Sequence, residues 1–219
     1  SAREALHRAV DERPIEGLDA ATADILRRWR APRPRRGLTL MFTGFSGSGK
    51  STLARAVRLA LETQTQRTVS ILDGDVVRRL LSSGLGFDRA SRILNVRRIG
   101  FVAAEVTRHG GVAICAPIAP YAHTRAEVRT MVEAVGDFIL IHVSTSLQEC
   151  ERRDLKGLYA AARAGRIPEF TGISDPYDVP TDADLSIDTE QVSVEDGVRQ
   201  VLDFLAHGGW ISRIAVGTE

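Results

Sequence analysis

Gly44-Phe-Ser-Gly-Ser-Gly-Lys-Ser51 matches the complete G-x-x-x-x-G-K-[ST] pattern of a phosphate-binding loop. An apolar run at 37–43 precedes the loop and predicts a buried strand, and the run from Ser51 to about Glu62 predicts a helix. In this context the glycines let backbone N–H groups turn toward a phosphate, with the positive end of the helix dipole behind them. We therefore expect a nucleoside triphosphate site.

Each residue type in the loop has a task in holding ATP and its Mg²⁺ ion. Lys50 would reach the β- and γ-phosphates, and the hydroxyl of Ser51 would bind Mg²⁺. The loop residues predicted to bind ATP are Gly44, Ser46, Gly47, Ser48, Gly49, Lys50, Ser51 and Thr52.

Lysine is almost absent from the chain. Of 29 lysine and arginine residues, only Lys50 and Lys156 are lysines. A compact ammonium on a flexible stem binds a phosphate differently from a planar guanidinium, so a lysine kept in this background is a candidate for chemistry. Survival by chance is the alternative, and Lys156 taken alone leaves it open.

The composition bounds the answer without naming a function. A chain of 219 residues can bury one good core, and a net charge of +1 gives no argument for a nucleic-acid or membrane partner. Cys115 and Cys150 lack metal or disulfide spacing, so we expect buried thiols in a reducing, cytoplasmic setting. No apolar run approaches membrane-spanning length, no signal peptide is recognised, and a start at Ser1 is consistent with a fragment.

Short apolar runs alternate with helical patterns along the chain. This alternation predicts an α/β protein of the P-loop NTPase fold, with a parallel five-stranded sheet and helices on both faces. The predicted strands are 37–43, 68–72, 112–116, 138–143 and 185–188, and the predicted helices are 51–62, 76–81, 89–109, 123–134, 148–153 and 194–207. Ligands of such sheets lie at the carboxyl ends of the strands, where Gly44, Asp73, Pro117 and Thr145 would meet.

Residues 1–36 differ from the rest of the chain. A helical pattern at 20–29 is followed by Arg30-Ala-Pro-Arg-Pro-Arg-Arg36, whose prolines and arginines are typical of a linker or docking arm. A basic arm could touch nucleic acid, but a solvated connector is the commoner role of such a stretch. We therefore divide the chain into residues 1–36 and a catalytic domain at 37–219.

Two carboxylates follow the second predicted strand, in Asp73-Gly-Asp75. They would lie across from Lys50 and Ser51, where one can support Mg²⁺ and the other can accept a proton from an attacking hydroxyl. We assign Asp73 to the metal and Asp75 to the base. The alternative is that either carboxylate caps the following helix.

A series of motifs resembles the adenylylsulfate kinase family over about residues 37–210. The motifs stand in family order and spacing, and they are Asp73-Gly-Asp-Val-Val-Arg78, Leu85-Gly-Phe87, Arg92-Ile-Leu-Asn-Val-Arg-Arg98, Pro117-Ile-Ala-Pro-Tyr121, Arg153-Asp-Leu-Lys-Gly-Leu-Tyr159 and Phe170-Thr-Gly-Ile173. The resemblance implies transfer of the γ-phosphate of ATP to the 3′-hydroxyl of adenosine 5′-phosphosulfate, which gives 3′-phosphoadenosine 5′-phosphosulfate.

The resemblance also implies roles for the acceptor site. Phe87 and Phe170 match a pair that sandwiches the substrate adenine, although either ring could instead belong to the core. Arg78 and Arg92 match arginines that hold the phosphosulfate, where a guanidinium meets paired oxygens. The other implied substrate-binding residues are Asp73, Asp75, Asn95, Ile118, Ala119 and Lys156.

The segment around Lys156 resembles the start of the family's mobile lid. Lys156 would neutralise charge on the transferring phosphoryl group and so joins Lys50 and Asp75 as a catalytic candidate. Glycine and proline residues in 164–172 would supply hinges, and closure would exclude water. Arg153 matches an arginine near the ATP base.

Two departures from the commonest family pattern are Val76, where many members have Asn, and Ala119, where many have Ser. An alanine cannot be phosphorylated, so a covalent route through position 119 is excluded and direct in-line transfer remains. Both departures resemble the kinase half of bacterial bifunctional sulfate adenylyltransferase–adenylylsulfate kinases, so residues 1–36 would be the linker or the tail of an upstream sulfurylase region. Homodimers are usual in the family.

A regulatory module is the second hypothesis. Such a module would be shaped like the kinase, bind the nucleotide product and signal to a sulfurylase, as the degenerate kinase-like domain of some fungal sulfurylases does. It would not need Lys50, Ser51 and both aspartates, all of which this chain keeps.

Overall fold

The computed structural model describes residues 36–65 and 67–211, and its order of elements is the predicted alternation of strands and helices. The strands are β1 (Leu38–Thr43), β2 (Val69–Asp73), β3 (Val112–Ala116), β4 (Asp137–Val143) and β5 (Leu185–Ile187). The helices are α1 (Lys50–Thr65), α2 (Gly74–Arg79), α3 (Arg89–Arg108), α4 (Ala122–Glu133), α5 (Leu147–Arg153), α6 (Leu158–Arg163) and α7 (Val194–His207).

The five strands form one parallel sheet in the order β2-β3-β1-β4-β5. The predicted fold class is therefore confirmed. Because β1 lies at the centre, its carboxyl end and the loop after it are flanked by the ends of β3 and β4. The carboxyl end of β2 lies one strand farther out.

Alternate residues of each strand face two separate cores. Leu40 and Phe42 face a core that is shared with α1 and α7, whereas Met41 faces a core that is shared with α3 and α4. Both faces of the central strand are fully buried, which is why its sequence is continuously apolar rather than alternating. Helices thus cover both faces, as predicted, and hold the strand ends rigidly.

The sequence prediction missed one helix, α6, within the segment that was treated as a glycine-rich stretch. Gly157 precedes α6 in a left-handed conformation with φ of 65°, and the carboxylate of Asp154 accepts hydrogen bonds from the N–H groups of Tyr159 and Ala160. A helix of six residues between two glycines is too short to show a periodic apolar pattern. The other predicted boundaries differ from the structure by at most three residues, and those of β3 and α7 match it.

Both cysteines are buried and free, as expected from their spacing. Within the described ranges, no helix combines the length and apolarity that crossing a bilayer requires. The predicted helix at 20–29, the arm at 30–36 apart from Arg36, and the last residues of the chain lie outside the described residues. The proposed division at 36/37 stays a prediction.

Candidate active site

The loop after β1 closes tightly against its neighbours. At Gly44 a Cβ atom would lie 2.5 Å from the carbonyl oxygen of Val143, and Gly49 has a φ of 93° that favours glycine. The carbonyl oxygen of Ser48 accepts hydrogen bonds from the hydroxyls of Thr145 (3.2 Å) and Thr189 (2.9 Å). Residues outside the loop thus hydrogen-bond to its backbone and help to hold it in place.

Helix α6, which lies in the segment predicted to be the lid, also contacts the phosphate-binding loop. Tyr159 of α6 is buried and donates its hydroxyl to the carbonyl oxygen of Ser46 at 2.8 Å. The sequence analysis quoted Tyr159 within a motif but gave it no role. The contact ties α6 to the phosphate-binding loop.

Lys50 is the first residue of α1 and is only 6% exposed. Its Nζ donates to the carbonyl oxygen of Phe45 and to Ser48 Oγ (3.2 Å). The pKa of Lys50 is lowered to about 8, mainly by burial and also by the neighbouring Lys156, while Cys150, Asp73 and Asp75 oppose the change. A bound triphosphate would supply the negative charge that this buried cation lacks.

Asp73 is buried at the end of β2 and serves as the N-cap of α2. Its Oδ1 accepts the N–H of Asp75 at 3.0 Å, and its Oδ2 pairs with Arg55 at 3.0 Å. The alternative role as a helix cap is thus present in the structure for Asp73. The assignment to a metal stays a prediction, because each carboxylate oxygen can accept a further contact.

The residues present fit a Mg²⁺ ion held mainly by phosphates and water. The described part of the chain has no cluster of three or more His, Cys, Asp or Glu side chains suited to a metal. One serine hydroxyl, on Ser51, and one carboxylate, on Asp73, are the small set of protein ligands that Mg²⁺ needs when a nucleotide supplies the rest.

Asp75 and Lys156 meet across the site. The carboxylate of Asp75 forms an ion pair with Lys156 Nζ, and both side chains are well exposed. The structure therefore brings together the predicted base and the predicted lid cation. Burial lowers the pKa of both Lys50 and Arg78, and the charge of the Asp75 carboxylate opposes part of that lowering in each case.

Arg78 and Phe87 form a second group beside Asp75. The guanidinium carbon of Arg78 lies 4.3 Å from the ring centroid of Phe87, and its Nη1 donates to the carbonyls of Leu85 and Gly86. Burial and the nearby charge of Arg92 lower the pKa of Arg78. Phe87 is 65% exposed, so one face of the ring is available to a flat ligand.

Arg92 is engaged by the segment that follows the lid. Its Nη1 donates to Thr171 Oγ1 (2.9 Å) and Asp175 Oδ2 (2.8 Å), and its Nη2 donates to the carbonyl of Glu169. Asp175 Oδ2 also accepts the hydroxyl of Tyr121 at 2.8 Å. Sequence reasoning missed Asp175, although it stands in a Ser-Asp-Pro-Tyr sequence just after the last motif.

Asn95 lies on the same face of α3 as Arg92, three residues later. It is 4% exposed, and its Oδ1 has no hydrogen-bond partner among the described residues. Buried polar atoms are nearly always paired, so an unpaired one at a predicted ligand site is consistent with a ligand donor.

The two predicted stacking rings have different surroundings. Phe170 is 8% exposed and packs edge-on against Tyr159, with ring centroids 5.0 Å apart, in a cluster that includes Cys150. In this structure Phe170 therefore has the environment of the core alternative. Its role against the adenine stays a prediction, as does that of Phe87.

Ile118 and Ala119 form a constrained loop after β3. The hydroxyl of Thr43 donates to the carbonyl of Ile118 at 2.6 Å, and the buried Arg125 donates to the carbonyl of Ala119 at 2.9 Å. Ala119 has a φ of 46°, which is a left-handed conformation. Two of the loop's carbonyls therefore have protein partners.

Arg153 lies at the end of α5 and is fixed by three hydrogen bonds. It donates to Glu149 at 2.8 Å, to Thr189 Oγ1 at 2.8 Å and to the carbonyl of Thr189 at 3.0 Å. Thr189 in turn donates to Ser48, so Arg153 is connected to the phosphate-binding loop. The sequence analysis gave Thr189 no role, because nothing local marks it.

Comparison with known proteins places this geometry in a family, since a family model described as adenylylsulphate kinase matches residues 36–188. The chain belongs to the adenylylsulfate kinase family. It is 42% identical to the solved APS kinase CysC of Mycobacterium tuberculosis in complex with AMPPNP and APS, with a TM-score of 0.74, covering 78% of this chain and 99% of that one. A hexameric APS kinase from Thiobacillus denitrificans is 43% identical with a TM-score of 0.66, over 92% of this chain and 35% of that chain.

Curated relatives of the kinase domain are longer proteins. The sulfate adenylyltransferases of Neurospora crassa and Chaetomium globosum are 46% and 47% identical over 189 residues, which cover 86% of this chain. The chain spans about a third, 33%, of their length. The expected relation to bacterial bifunctional enzymes stays a prediction, because these two relatives are fungal.

Proposed function

We propose that this domain transfers the γ-phosphate of ATP to the 3′-hydroxyl of adenosine 5′-phosphosulfate, which gives 3′-phosphoadenosine 5′-phosphosulfate for sulfate activation. The observation that carries the proposal is the ion pair between Asp75, two residues beyond the end of β2, and Lys156 of the predicted lid, together with the buried Lys50 of a complete phosphate-binding loop. A carboxylate between a donor phosphate and an acceptor hydroxyl is suited to general-base chemistry.

The transfer balances with these groups. Asp75 accepts the proton of the 3′-hydroxyl, whose oxygen forms the new bond to the γ-phosphorus. The bond from that phosphorus to the oxygen bridging to the β-phosphate breaks, and ADP leaves. Lys50 and Lys156 neutralise charge on the oxygens of the transferring group. A Mg²⁺ ion held by Ser51 and Asp73 would supply further charge neutralisation when ATP is bound.

The acceptor is recognised by its anionic phosphosulfate and by its adenine base. Arg78 and Arg92 bind the phosphosulfate, and an anion there would relieve the repulsion that lowers the pKa of Arg78. Phe87 offers an exposed face to the adenine, with Phe170 expected to cover the other face. Asn95 supplies an unpaired oxygen to a donor on the ligand.

Further contacts follow from the same arrangement. Backbone groups of Ile118 and Ala119 border the acceptor. On the donor side, Arg153 is fixed beside the loop by Thr189, where its planar guanidinium can lie against the ATP base.

An assay of ADP formation with and without adenosine 5′-phosphosulfate tests the proposal. We expect turnover that depends on the acceptor and on added Mg²⁺. Lys50→Ala should lower turnover by about a hundredfold, the usual effect of losing one preorganised charge-stabilising group. The absence of acceptor-dependent ADP formation by the wild-type protein would contradict the proposal.

A regulatory module is the second candidate, and the sulfate adenylyltransferase relatives favour testing it. Such a module would bind 3′-phosphoadenosine 5′-phosphosulfate without consuming ATP. The same assay separates the two, because a binding module gives tight nucleotide binding with no ADP. The buried Lys50 in a complete phosphate-binding loop supports the kinase.

The assembly is proposed on the same footing. We infer that residues 1–36 connect the kinase to a sulfurylase region, that the domain forms a homodimer in the cytoplasm, and that it acts without nucleic acid or membrane. Sedimentation of the 219-residue chain would show whether it forms a dimer or the larger assembly named for the Thiobacillus denitrificans protein.

A further inference from the structure

Side-chain hydrogen bonds hold the segment after the predicted lid against the site. We name residues 169–178 the strap. The hydroxyls of Tyr177 and Thr43 share a 3.0 Å hydrogen bond, and the carboxylate of Asp178 accepts the N–H of Ala122 at 2.9 Å. The buried Arg125 donates to the carbonyl of Asp178 at 2.6 Å. These contacts fix the strap across the ends of β1 and β3.

Asp175 is the charged centre of the strap. Its carboxylate is almost fully buried, and Oδ2 accepts from Arg92 Nη1 and from the hydroxyl of Tyr121, each at 2.8 Å. Tyr121 is itself buried, and burial with this hydrogen bond raises its pKa to about 12. Because the buried Tyr121 hydroxyl holds the Asp175 carboxylate in place, that carboxylate can fix the orientation of the Arg92 guanidinium.

The partners of Arg92 leave one edge of its guanidinium open. A guanidinium has five N–H groups. Nη1 uses both of its N–H groups, on Thr171 and Asp175, and Nη2 uses one on Glu169. The remaining N–H groups, one on Nη2 and one on Nε, have no partner among the described residues. These N–H groups are left for a ligand, and a guanidinium binds paired anionic oxygens through such groups.

Two further observations place a ligand near that edge. Asn95, on the same face of α3, is buried with an unpaired oxygen. Arg78 forms no ion pair within residues 36–65 and 67–211, and its charge faces that of Arg92. Asp175 is the one carboxylate among the described residues that forms an ion pair with either arginine, so an anionic ligand would further balance their charge.

We propose that Asp175, held by Tyr121, is a positioning residue that orients the free edge of Arg92 toward the anionic end of the acceptor. This inference rests on the proposed function for the identity of the acceptor. The side-chain hydrogen bonds of Asp175 go to Arg92 and Tyr121 and not to the phosphate-binding loop, so we expect its loss to act on acceptor binding. The strap is then a fixed wall of the acceptor site.

Two variants separate orientation from charge. Asp175→Asn removes the charge-assisted bond to Arg92, whereas Tyr121→Phe keeps the carboxylate and removes only the bond that holds it. We expect the Kd of adenosine 5′-phosphosulfate, measured by calorimetry, to rise about tenfold for Asp175→Asn and about threefold for Tyr121→Phe. The KM for the acceptor should rise in parallel, with kcat and the KM for ATP unchanged within about twofold.

Asp184→Asn is the matched control. Asp184 also combines an arginine partner, Arg129 at 3.2 Å, with a second donor, the N–H of Leu140 at 2.7 Å, but it lies beside β4 rather than at the acceptor site. Its replacement should lower the unfolding temperature without a selective change in acceptor binding.

The outcomes are distinct. An unchanged or tighter acceptor Kd in Asp175→Asn, or an equal loss for ATP, overturns the positioning role even if the wild-type protein is an active kinase. If the wild-type protein binds the acceptor without turnover, the proposed function fails while the Kd values still test Asp175. If Asp175→Asn does not fold, Tyr121→Phe decides, and an unchanged Kd there overturns the inference. A wild-type protein that does not bind the acceptor overturns both.

Discussion

Lys50 is a buried cation whose protonation should be linked to nucleotide binding. Burial lowers its pKa to about 8 in the free protein, and the charge of a bound triphosphate should raise it again. We therefore expect ATP binding to take up a proton above about pH 8, and affinity to fall with pH there by up to about tenfold per unit. Calorimetry at pH 8.5 in two buffers of different ionisation enthalpy measures the uptake.

The sign for stability is opposite to that for binding. Lys50 holds a proton more readily in the unfolded chain, whose pKa is near the ordinary 10.5, than in the folded protein at about 8. The cost of keeping Lys50 charged is thus fully present below about pH 8 and disappears as the pH rises toward 10.5.

Lys50→Arg is the control for the binding experiment, because a guanidinium stays charged and should show no proton uptake. An equal uptake in that variant would contradict the assignment to Lys50.

Phe87 offers a test of the acceptor side. Its ring is exposed and supports Arg78 on one face, so Phe87→Ala removes both a stacking surface and the partner of a cation. Stacking of a base on an aromatic ring is worth about 1–3 kcal/mol, so acceptor affinity should fall by about 5- to 150-fold. ATP affinity should stay nearly intact.

Leu59→Ala is a suitable control for the loss of an exposed apolar side chain, since Leu59 lies on α1 and is 64% exposed, close to the 65% of Phe87. Calorimetric titration with each nucleotide in turn reports the difference. Equal losses for ATP and for the acceptor would show that Phe87 does not belong to the acceptor side.

Tyr159 links helix α6 to the phosphate-binding loop, so the position of α6 should affect ATP binding. Tyr159→Phe leaves the packing against Phe170 but removes the donor to the carbonyl of Ser46. A hydrogen bond of this kind contributes about 0.5–1.5 kcal/mol net, so the Kd of a non-hydrolysable ATP analogue should rise by about two- to twelvefold. Fluorescence titration measures it.

Tyr177→Phe is the matched control for the lost hydroxyl. Tyr177 is also largely buried, but its hydroxyl meets Thr43, which keeps the carbonyls of Ile118 and Ala119 as partners. Nucleotide affinity should therefore be unchanged there. A loss of the same size in both variants would mean that the hydroxyls act through general stability rather than through the phosphate-binding loop.

Local patterns predicted the elements that carry a strong period or a motif. Five strands, the phosphate-binding loop and the carboxylates after β2 could all be read from contiguous residues. The hinges expected in 164–172 could not be judged in this way, because residues 169–178 are held by partners that lie 53 to 134 positions away in the sequence. We now expect lid motion to be confined to about 155–168.

The same limit explains which site residues were found. Lys50 and Asp75 stand in motifs, whereas Thr189 and Asp175 act through partners that only the folded chain brings near. Phe170 is a different case, because a motif assigned its ring to the adenine whereas this structure buries it beside Tyr159 and Cys150, and its role stays a prediction. Motifs therefore identified the chemistry, and the supporting contacts required the structure.

Helix α3 carries two residues of the predicted acceptor site, Arg92 and Asn95, and its packing against α4 helps to position them. Where α3 crosses α4, Gly100 faces Val128, and a Cβ at Gly100 would lie 2.6 Å from Val128 Cγ2. Gly100→Ala should therefore lower the free energy of unfolding by about 1–2 kcal/mol, because overpacking outweighs the gain in helix propensity of about 1 kcal/mol. Urea denaturation measures it.

Two further variants test whether this close contact is the cause. Gly84→Ala has open space around the added Cβ and should change stability by less than about 1 kcal/mol in either direction. In a Val128→Ala background the two γ-carbons are gone, so Gly100→Ala should cost less than it does in the wild-type protein, and the difference is the coupling energy between the helices. A cost that is the same in both backgrounds would mean that Gly100 is needed for a reason other than the close approach of α3 to α4.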